Sequence, residues 1–218
     1  MTFEELLPIL AQATLETGQM VFWSTLLTAV LGLPIGVLLV TTDRGGLTPM
    51  PAVKAVLGAV VNVGRSLPFI VLMVAILPFT RLITGTTIGT VAAIVPLTLG
   101  AVPFYARLVE TALRGVGREV VEAAQAMGSR RVTVVTKVLL PETLPELIAG
   151  LTVTVVALIG YSAMAGAIGG GGLGDLAIRY GYQRFDTGVM VVTVVLLIVL
   201  VQLIQILGDA VARRLSHR

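Results

Sequence analysis

Long uncharged apolar stretches alternate with short polar segments along almost the whole chain. A helix needs about 20 apolar residues to cross the hydrocarbon core of a bilayer. The pattern predicts five spans, at about residues 18–41, 56–78, 84–106, 147–170 and 187–208. The last contains VMVVTVVLLIVL, which is β-branched enough to favour a strand by propensity. Because an open strand would leave backbone groups unpaired in lipid, we predict a helix there too.

The five spans define the organisation of the chain. They form one membrane domain, residues 17–212, between an N-terminal segment, residues 1–16, and a tail, residues 213–218. A polar connector, about residues 107–146, separates the third span from the fourth. The predicted fold class is an all-α membrane protein with five transmembrane helices and no second domain.

The composition agrees with a membrane protein and argues against an enzyme. Charged residues make up 12% of the chain, whereas soluble domains carry about 25%. The chain has no cysteine and one histidine, His217, so neither a thiolate site nor a His-based catalytic site is expected. We predict no catalytic and no metal-binding residues. The net charge of +3 is spread over several loops, which favours basic loops beside a membrane over a nucleic-acid surface.

The Lys and Arg residues are distributed unevenly between the two sets of loops. On one side of the membrane lie the loop after the first span, the connector and the tail. Together they hold Arg44, Lys54, Arg114, Arg118, Arg130, Arg131, Lys137, Arg213, Arg214 and Arg218. The opposite side holds Arg81, Arg179 and Arg184, together with the acidic residues Glu4, Glu5 and Glu16. The positive-inside rule therefore predicts an outer N-terminus and a cytoplasmic connector and tail.

The connector contains VEAAQAMGSRR, residues 121–131, which is unusually polar for this chain. Four residues at helical spacing predict one weakly apolar face: Val120, Ala123, Ala124 and Met127. Gly128 suits a helix stop, and Ser129 suits the cap of a second short helix. Such a face fits a docking element for another protein. It fits equally an amphipathic helix lying on the inner leaflet.

The segment EAAQAMG, followed by KVLLPETLP, resembles the EAA motif of ABC importer permeases. The matching residues are Glu122, Ala123, Ala124, Gly128, Leu140 and Pro141. The segments NVGRSLPFIVLMVAILPFTRLITGTTIG, AAIVPLTLGAVPFYARLVE and GYSAMAGAIGGGGLG extend the resemblance over nearly the whole chain. It is greatest to the permease subunits of methionine importers. The resemblance implies the type I ABC importer permease fold, with short cytoplasmic coupling helices, in a bacterial inner membrane.

The same resemblance implies a set of partners. In that family the EAA loop seats in a cleft of a cytoplasmic ATPase, which implies a coupling interface of Glu122, Ala123, Ala124, Met127, Gly128, Ser129 and Arg130. The complex would contain two ATPase copies that bind ATP and magnesium, a second copy of this chain, and a periplasmic or lipoprotein substrate-binding protein. The last would dock on the outer loops that hold Asp175, Arg179, Arg184 and Asp186, although these also suit ordinary solvated positions.

The chain itself has no recognisable source of energy. Its two lysines, Lys54 and Lys137, do not follow the glycine pattern of a P-loop. The spans also lack the chain of acidic residues typical of proton-coupled carriers. Both absences favour a partner that supplies the work, with no cofactor bound by this chain.

A few residues inside the spans are candidates for the solute pathway. Arg65, beside Asn62, is the one charge within an apolar stretch, so it is a functional candidate, although it also suits snorkelling to the headgroups. In the fourth span, Ser162, Gly166 and Gly170 fall four residues apart and suit close helix packing. The flexible Met164 suits a gate or a contact with a thioether substrate as well as core packing. Tyr161 completes the pathway candidates.

Two other classes of function stay open. A self-sufficient secondary carrier or channel would move solute without ATP, and a membrane anchor would recruit a cytoplasmic protein without moving solute. An ABC permease for another amino acid or small solute is also open, as is the choice between D- and L-methionine.

Overall fold

The computed structural model describes residues 3–216, and every regular element in that range is helical. The α-helices, in chain order, are α1 (Phe3–Thr41), α2 (Pro51–Ser66), α3 (Phe69–Ala75), α4 (Leu77–Thr84), α5 (Thr90–Arg114), α6 (Arg118–Ala126), α7 (Arg131–Val134), α8 (Leu140–Glu142), α9 (Leu144–Gly166), α10 (Gly172–Leu176) and α11 (Thr187–Ser216). Two π-helical segments, Val135–Leu139 and Ala177–Tyr182, precede α8 and follow α10. His217 and Arg218 of the predicted tail lie outside the described residues.

Four of these helices, α1, α5, α9 and α11, are long and apolar enough to cross a membrane. A fifth candidate span is the pair α2 and α3, which meet at a bend of 105°. The bend has a local cause, because Leu67 is extended, with ψ 127°, as the residue before Pro68 prefers. The all-helical architecture predicted from the sequence is confirmed.

Helix α1 is longer than a membrane requires. Its 39 residues extend about 58 Å at 1.5 Å per residue, whereas the hydrocarbon core is about 30 Å thick. The sequence suggested a separate segment over residues 1–16, but the helix is continuous from Phe3. Its first part packs on α10, and Leu6 and Leu10 belong to one buried cluster with Leu173 of α10 and Val189 of α11. That packing explains why the helix continues beyond the apolar span.

The central contact of the bundle joins α1 to α5. Gly32 and Gly36 of α1 face Tyr105, Ala106 and Val109 of α5, and a Cβ at Gly36 would lie 2.5 Å from the Cβ of Val109. Two glycines four residues apart let the helix backbones approach closely. The sequence interpretation did not single out this pair.

The predicted connector is mostly structured. Helix α5 runs past the predicted span end at residue 106 and reaches Arg114, after which α6 and α7 follow. From Arg131 the chain stays helical through the π-helical segment and α8, and it breaks only at Thr143. Pro145 then occupies the first turn of α9, where its missing N–H costs nothing.

Candidate functional site

Helix α6 ends in a tight turn at Gly128. The φ of Gly128 is +79°, in the left-handed region that favours glycine. Its N–H donates to the carbonyl of Gln125 at 2.9 Å, and the N–H of Ser129 donates to that of Ala124 at 3.2 Å. Gly128 therefore terminates α6 as expected. The predicted cap by Ser129 is wrong, because Arg130 is the N-cap residue of α7 and no side chain caps that helix.

The small apolar face predicted on α6 divides into two. Ala124 is 5% exposed and belongs to the buried cluster with Leu113, Val134 and Leu139. Ala123 is exposed, and Met127 is 80% exposed. Ala124 lies 100° around the helix from Ala123 and turns toward the bundle, so the predicted face is buried at this one edge and exposed elsewhere. Ala124 anchors α6, and Ala123 and Met127 remain available to a partner.

We call the outward surface of the connector the docking face. Its apolar members are Val120, Ala123, Met127 and Val132, of which Val132 is 72% exposed. Exposed charged residues surround them: Glu119, Glu122, Arg130 and Arg131. An apolar patch rimmed by charge on a polar part of the molecule is typical of a protein interaction site.

At the start of the predicted connector, in the last part of α5, a buried carboxylate binds three cationic side chains. Glu110 of α5 is 2% exposed. It accepts hydrogen bonds from Lys54 at 2.5 Å, from Arg107 at 2.5 Å and from Arg114 at 2.9 Å. We call Glu110, these three cations and their further partners Asp43 and Asn62 the Glu110 network. The sequence interpretation missed it, although Arg107 and Arg114 flank Glu110 at helical spacings of three and four residues.

The network also reaches the loop after α1. Arg114 donates to Asp43 as well as to Glu110. The hydrogen bond from Arg114 holds the pKa of Asp43 below its usual value. The end of α5 is thereby tied to the α1–α2 loop by ion pairs.

Two of the predicted pathway residues lie near the α2–α3 bend. Arg65 is exposed in the last turn of α2, so it lies at a helix end, beside the break within the α2–α3 pair. A cation at that position is favoured by the helix dipole. Asn62 accepts a hydrogen bond from Arg107, which links it to the Glu110 network.

The pathway residues predicted on α9 differ in their surroundings. Tyr161 stacks on Phe69 of α3, with ring centroids 4.4 Å apart. Ser162 is buried and donates to the carbonyl of Ile159 at 2.7 Å. Met164 is 48% exposed. Of the three side chains, that of Met164 is the most available to a solute or to another subunit.

The two glycines predicted to pack on α9 also differ. Gly166 lies against the backbone of Gly174 and Asp175, where an added Cβ would collide with main-chain atoms. Gly170 lies beyond the end of α9, and its N–H donates to the carbonyl of Ala165 at 2.9 Å. The regular spacing therefore corresponds to one helix contact and one turn.

At the other end of the bundle the predicted mixed charges are partly engaged. Asp175 pairs with Arg179, and the guanidinium of Arg184 lies 4.4 Å from the ring centroid of Tyr180. Asp186 accepts a hydrogen bond from the N–H of Val189 at 3.1 Å, at the start of α11. In residues 3–216 no group of three or more His, Cys, Asp or Glu side chains has the arrangement of a metal site.

Comparisons with known proteins match this chain to membrane components of transport systems. Residues 32–217 match the family described as "Binding-protein-dependent transport system inner membrane component". The chain is 57% identical to the probable D-methionine transport system permease protein MetI of Vibrio cholerae, over 96% of this chain and 93% of that one. It is 48% identical to the methionine import system permease protein MetP of Bacillus subtilis, over 83% and 82% of the two chains.

The fold has a close counterpart among solved structures. A chain of the MetNI methionine ABC transporter in an inward-facing conformation superposes with a TM-score of 0.96 at 46% identity, over 98% of this chain and 99% of that chain. An amino acid ABC transporter solved with histidines superposes with a TM-score of 0.80 at 16% identity, over 98% of this chain and 99% of that one, a likeness of fold alone.

Proposed function

The chain belongs to the family of binding-protein-dependent transport system inner membrane components, and from this premise we propose that it forms the solute pathway of an ATP-driven methionine importer. The predicted family and the importer-permease fold are confirmed. The observation that carries the proposal is the agreement with the Vibrio cholerae D-methionine permease over almost the whole chain. The relatives' names support methionine as the substrate, as the D-isomer, the L-isomer or both.

The docking face supports coupling to a separate ATPase. Its apolar members are exposed, whereas the adjacent side of α6 is anchored to the bundle through Ala124. A rigid helix with one free face transmits a push from a bound protein to the rest of the bundle. In the proposed complex the ATPase binds ATP and magnesium, and this chain supplies the interface of Glu122, Ala123, Met127, Gly128, Ser129 and Arg130.

The distribution of charge supports an orientation. The ion pairs place the α1–α2 loop, the start of α2 and the end of α5 together at one end of the bundle. This end also begins the basic connector, so the positive-inside rule assigns it to the cytoplasm. Residues 1–16 and the Asp175–Arg184 region then lie outside, where a substrate-binding protein docks. The described part of the tail, residues 213–216, lies inside.

A second copy of the chain completes the proposed pathway. Many apolar residues of α2 and α3 are exposed, among them Val60, Val63, Ile70 and Val74. Met164 of α9 is also exposed, which suits a residue that narrows a pathway shared by two copies. In a symmetric dimer the two docking faces each hold one ATPase copy.

Uptake by reconstituted vesicles tests this function against its alternatives. Vesicles with the permease, the ATPase encoded with it and the substrate-binding protein are expected to accumulate radiolabelled methionine only when ATP is supplied. Vesicles with the permease alone are expected to accumulate none. ATP-independent uptake by the permease alone would favour a secondary carrier or channel. An absence of ATP-driven uptake of any amino acid would favour an anchor.

A further inference from the structure

Glu110 combines an almost complete burial with three cationic partners. An ionised carboxylate removed from water is stable only while it is paired and hydrogen-bonded. Here one carboxylate holds Lys54, Arg107 and Arg114, of which Lys54 and Arg107 are 21% and 28% exposed at their side chains. The cations can exchange partners within the network while the carboxylate stays paired, which suits a joint that must move.

The Glu110 network reaches both ends of α2. Lys54 lies in the first turn of α2, and Asn62, which Arg107 contacts, lies one turn before its end. Val61 is the only fully buried residue of this helix, and it packs in a small cluster with Leu39 and Ala106. The network adds polar contacts at both ends of α2 to this apolar contact in its middle.

The network also lies between the docking face and the α2–α3 bend, the two parts that would move in the proposed transporter. Arg114 is the last residue of α5, and α6 with its docking face begins at Arg118. At the far end, Asn62 precedes the 105° bend between α2 and α3, and α3 contacts α9 through the stacked Phe69 and Tyr161.

We propose that Glu110 is the positioning residue that carries motion of the docking face into α2 and the α2–α3 bend. This role rests on the proposed function, since it needs an ATPase that moves the docking face. When α6 moves, the end of α5 moves with it. The Glu110–Lys54 ion pair then draws the start of α2 along, and Arg107, held by Glu110, draws its end along through Asn62. The bend then transfers that displacement to α3 and the pathway.

The test uses Glu110→Gln, which keeps the shape of the side chain and removes its charge. The matched control is Asp209→Asn on α11, whose carboxylate is held by Gln205. We expect Glu110→Gln to assemble with the ATPase and hydrolyse ATP. The number of methionine molecules transported per ATP should fall by a factor of about five or more. Asp209→Asn is expected to keep the wild-type ratio.

Distances within the complex separate this role from a loss of stability. The chain has no cysteine, so single cysteines at Val60 and at the exposed Gln125 of α6 allow spin labels whose separation across the dimer is measured with and without ATP. In the wild type we expect both separations to change. In Glu110→Gln we expect the separation at position 125 to change and that at position 60 to stay fixed.

Other results would overturn the proposal. If both separations in Glu110→Gln change as in the wild type, Glu110 does not carry the motion. If neither changes in the variant, Glu110 acts on assembly or on the ATPase response, which also contradicts the proposed role. If neither label responds in the wild type, the proposed function fails together with the role of Glu110.

Discussion

Replacement of Gly36 by alanine tests the contact between α1 and α5. The new Cβ would lie 2.5 Å from the Cβ of Val109 and 2.7 Å from the carbonyl oxygen of Ala106. Carbon atoms in contact are about 3.5–4.0 Å apart, so the two helices must separate or shift. Overpacking of this kind costs about 1–3 kcal/mol. Alanine also favours the helix over glycine by about 0.5–1 kcal/mol, which partly offsets that cost.

Gly18→Ala in the same helix is the matched control, because a Cβ at Gly18 meets nothing within 4 Å. The Gly18→Ala substitution gives the same gain in helix propensity without a steric collision. Thermal unfolding in detergent, followed by the fluorescence of the single tryptophan Trp23, compares the two variants. Each kcal/mol corresponds to about 2–4 °C in a chain of this size, so Gly36→Ala is expected to unfold about 2–12 °C below Gly18→Ala. Equal unfolding temperatures would refute the close packing of α1 on α5.

Three further substitutions probe the connector, the pathway and the ion pairs. Gly128→Val is expected to weaken capture of the ATPase without loss of membrane insertion, since a β-branched residue is strained at φ +79°; full capture would contradict the docking assignment. Met164→Ala is expected to increase solute leak through the reconstituted complex or to alter substrate-dependent ATP hydrolysis, and wild-type values in both assays would leave only a packing role. For Asp43→Asn, the lowered pKa means that the wild-type ion pair stabilises above the ordinary Asp pKa of about 3.9 and is lost as the pH falls through the lower folded value. The small gap in unfolding temperature between wild type and Asp43→Asn should therefore narrow as the pH falls below about 4 and close below the folded pKa of Asp43. A gap that persists there would exclude the Asp43–Arg114 pair as its cause.

The sequence was informative where one physical requirement dominates. Apolar length alone located α1, α5, α9 and α11, because a bilayer demands it. The glycine at position 128 marked the end of α6, because few other residues adopt a positive φ. The 105° bend between α2 and α3 was less accessible, because Pro68 marks a break in the helix but does not set the angle at which α3 packs on α9.

The candidate site was predicted only in outline. Helical spacing grouped Ala123 with Ala124, and the fold separated them because the cluster around Leu113 and Leu139 fixes the rotation of α6. The Glu110 network was missed because Lys54 and Glu110 lie 56 residues apart in the sequence. The local signal was present, since RLVETALR places an acid between two arginines at helical spacing in an otherwise apolar helix. An acid at the end of a membrane helix, flanked in this way, indicates a buried ion network.

The most direct test of an ATPase-driven permease compares two adjacent positions of α6. Single cysteines replace Ala123, which is exposed, and Ala124, which is buried against the bundle. Each protein is treated with a thiol-specific label before and after assembly with the ATPase. We predict that the cysteine at position 123 is labelled in the free permease and protected in the complex, whereas that at position 124 is labelled poorly in both. Undiminished labelling at position 123 in the assembled complex would contradict the docking of the ATPase on this face.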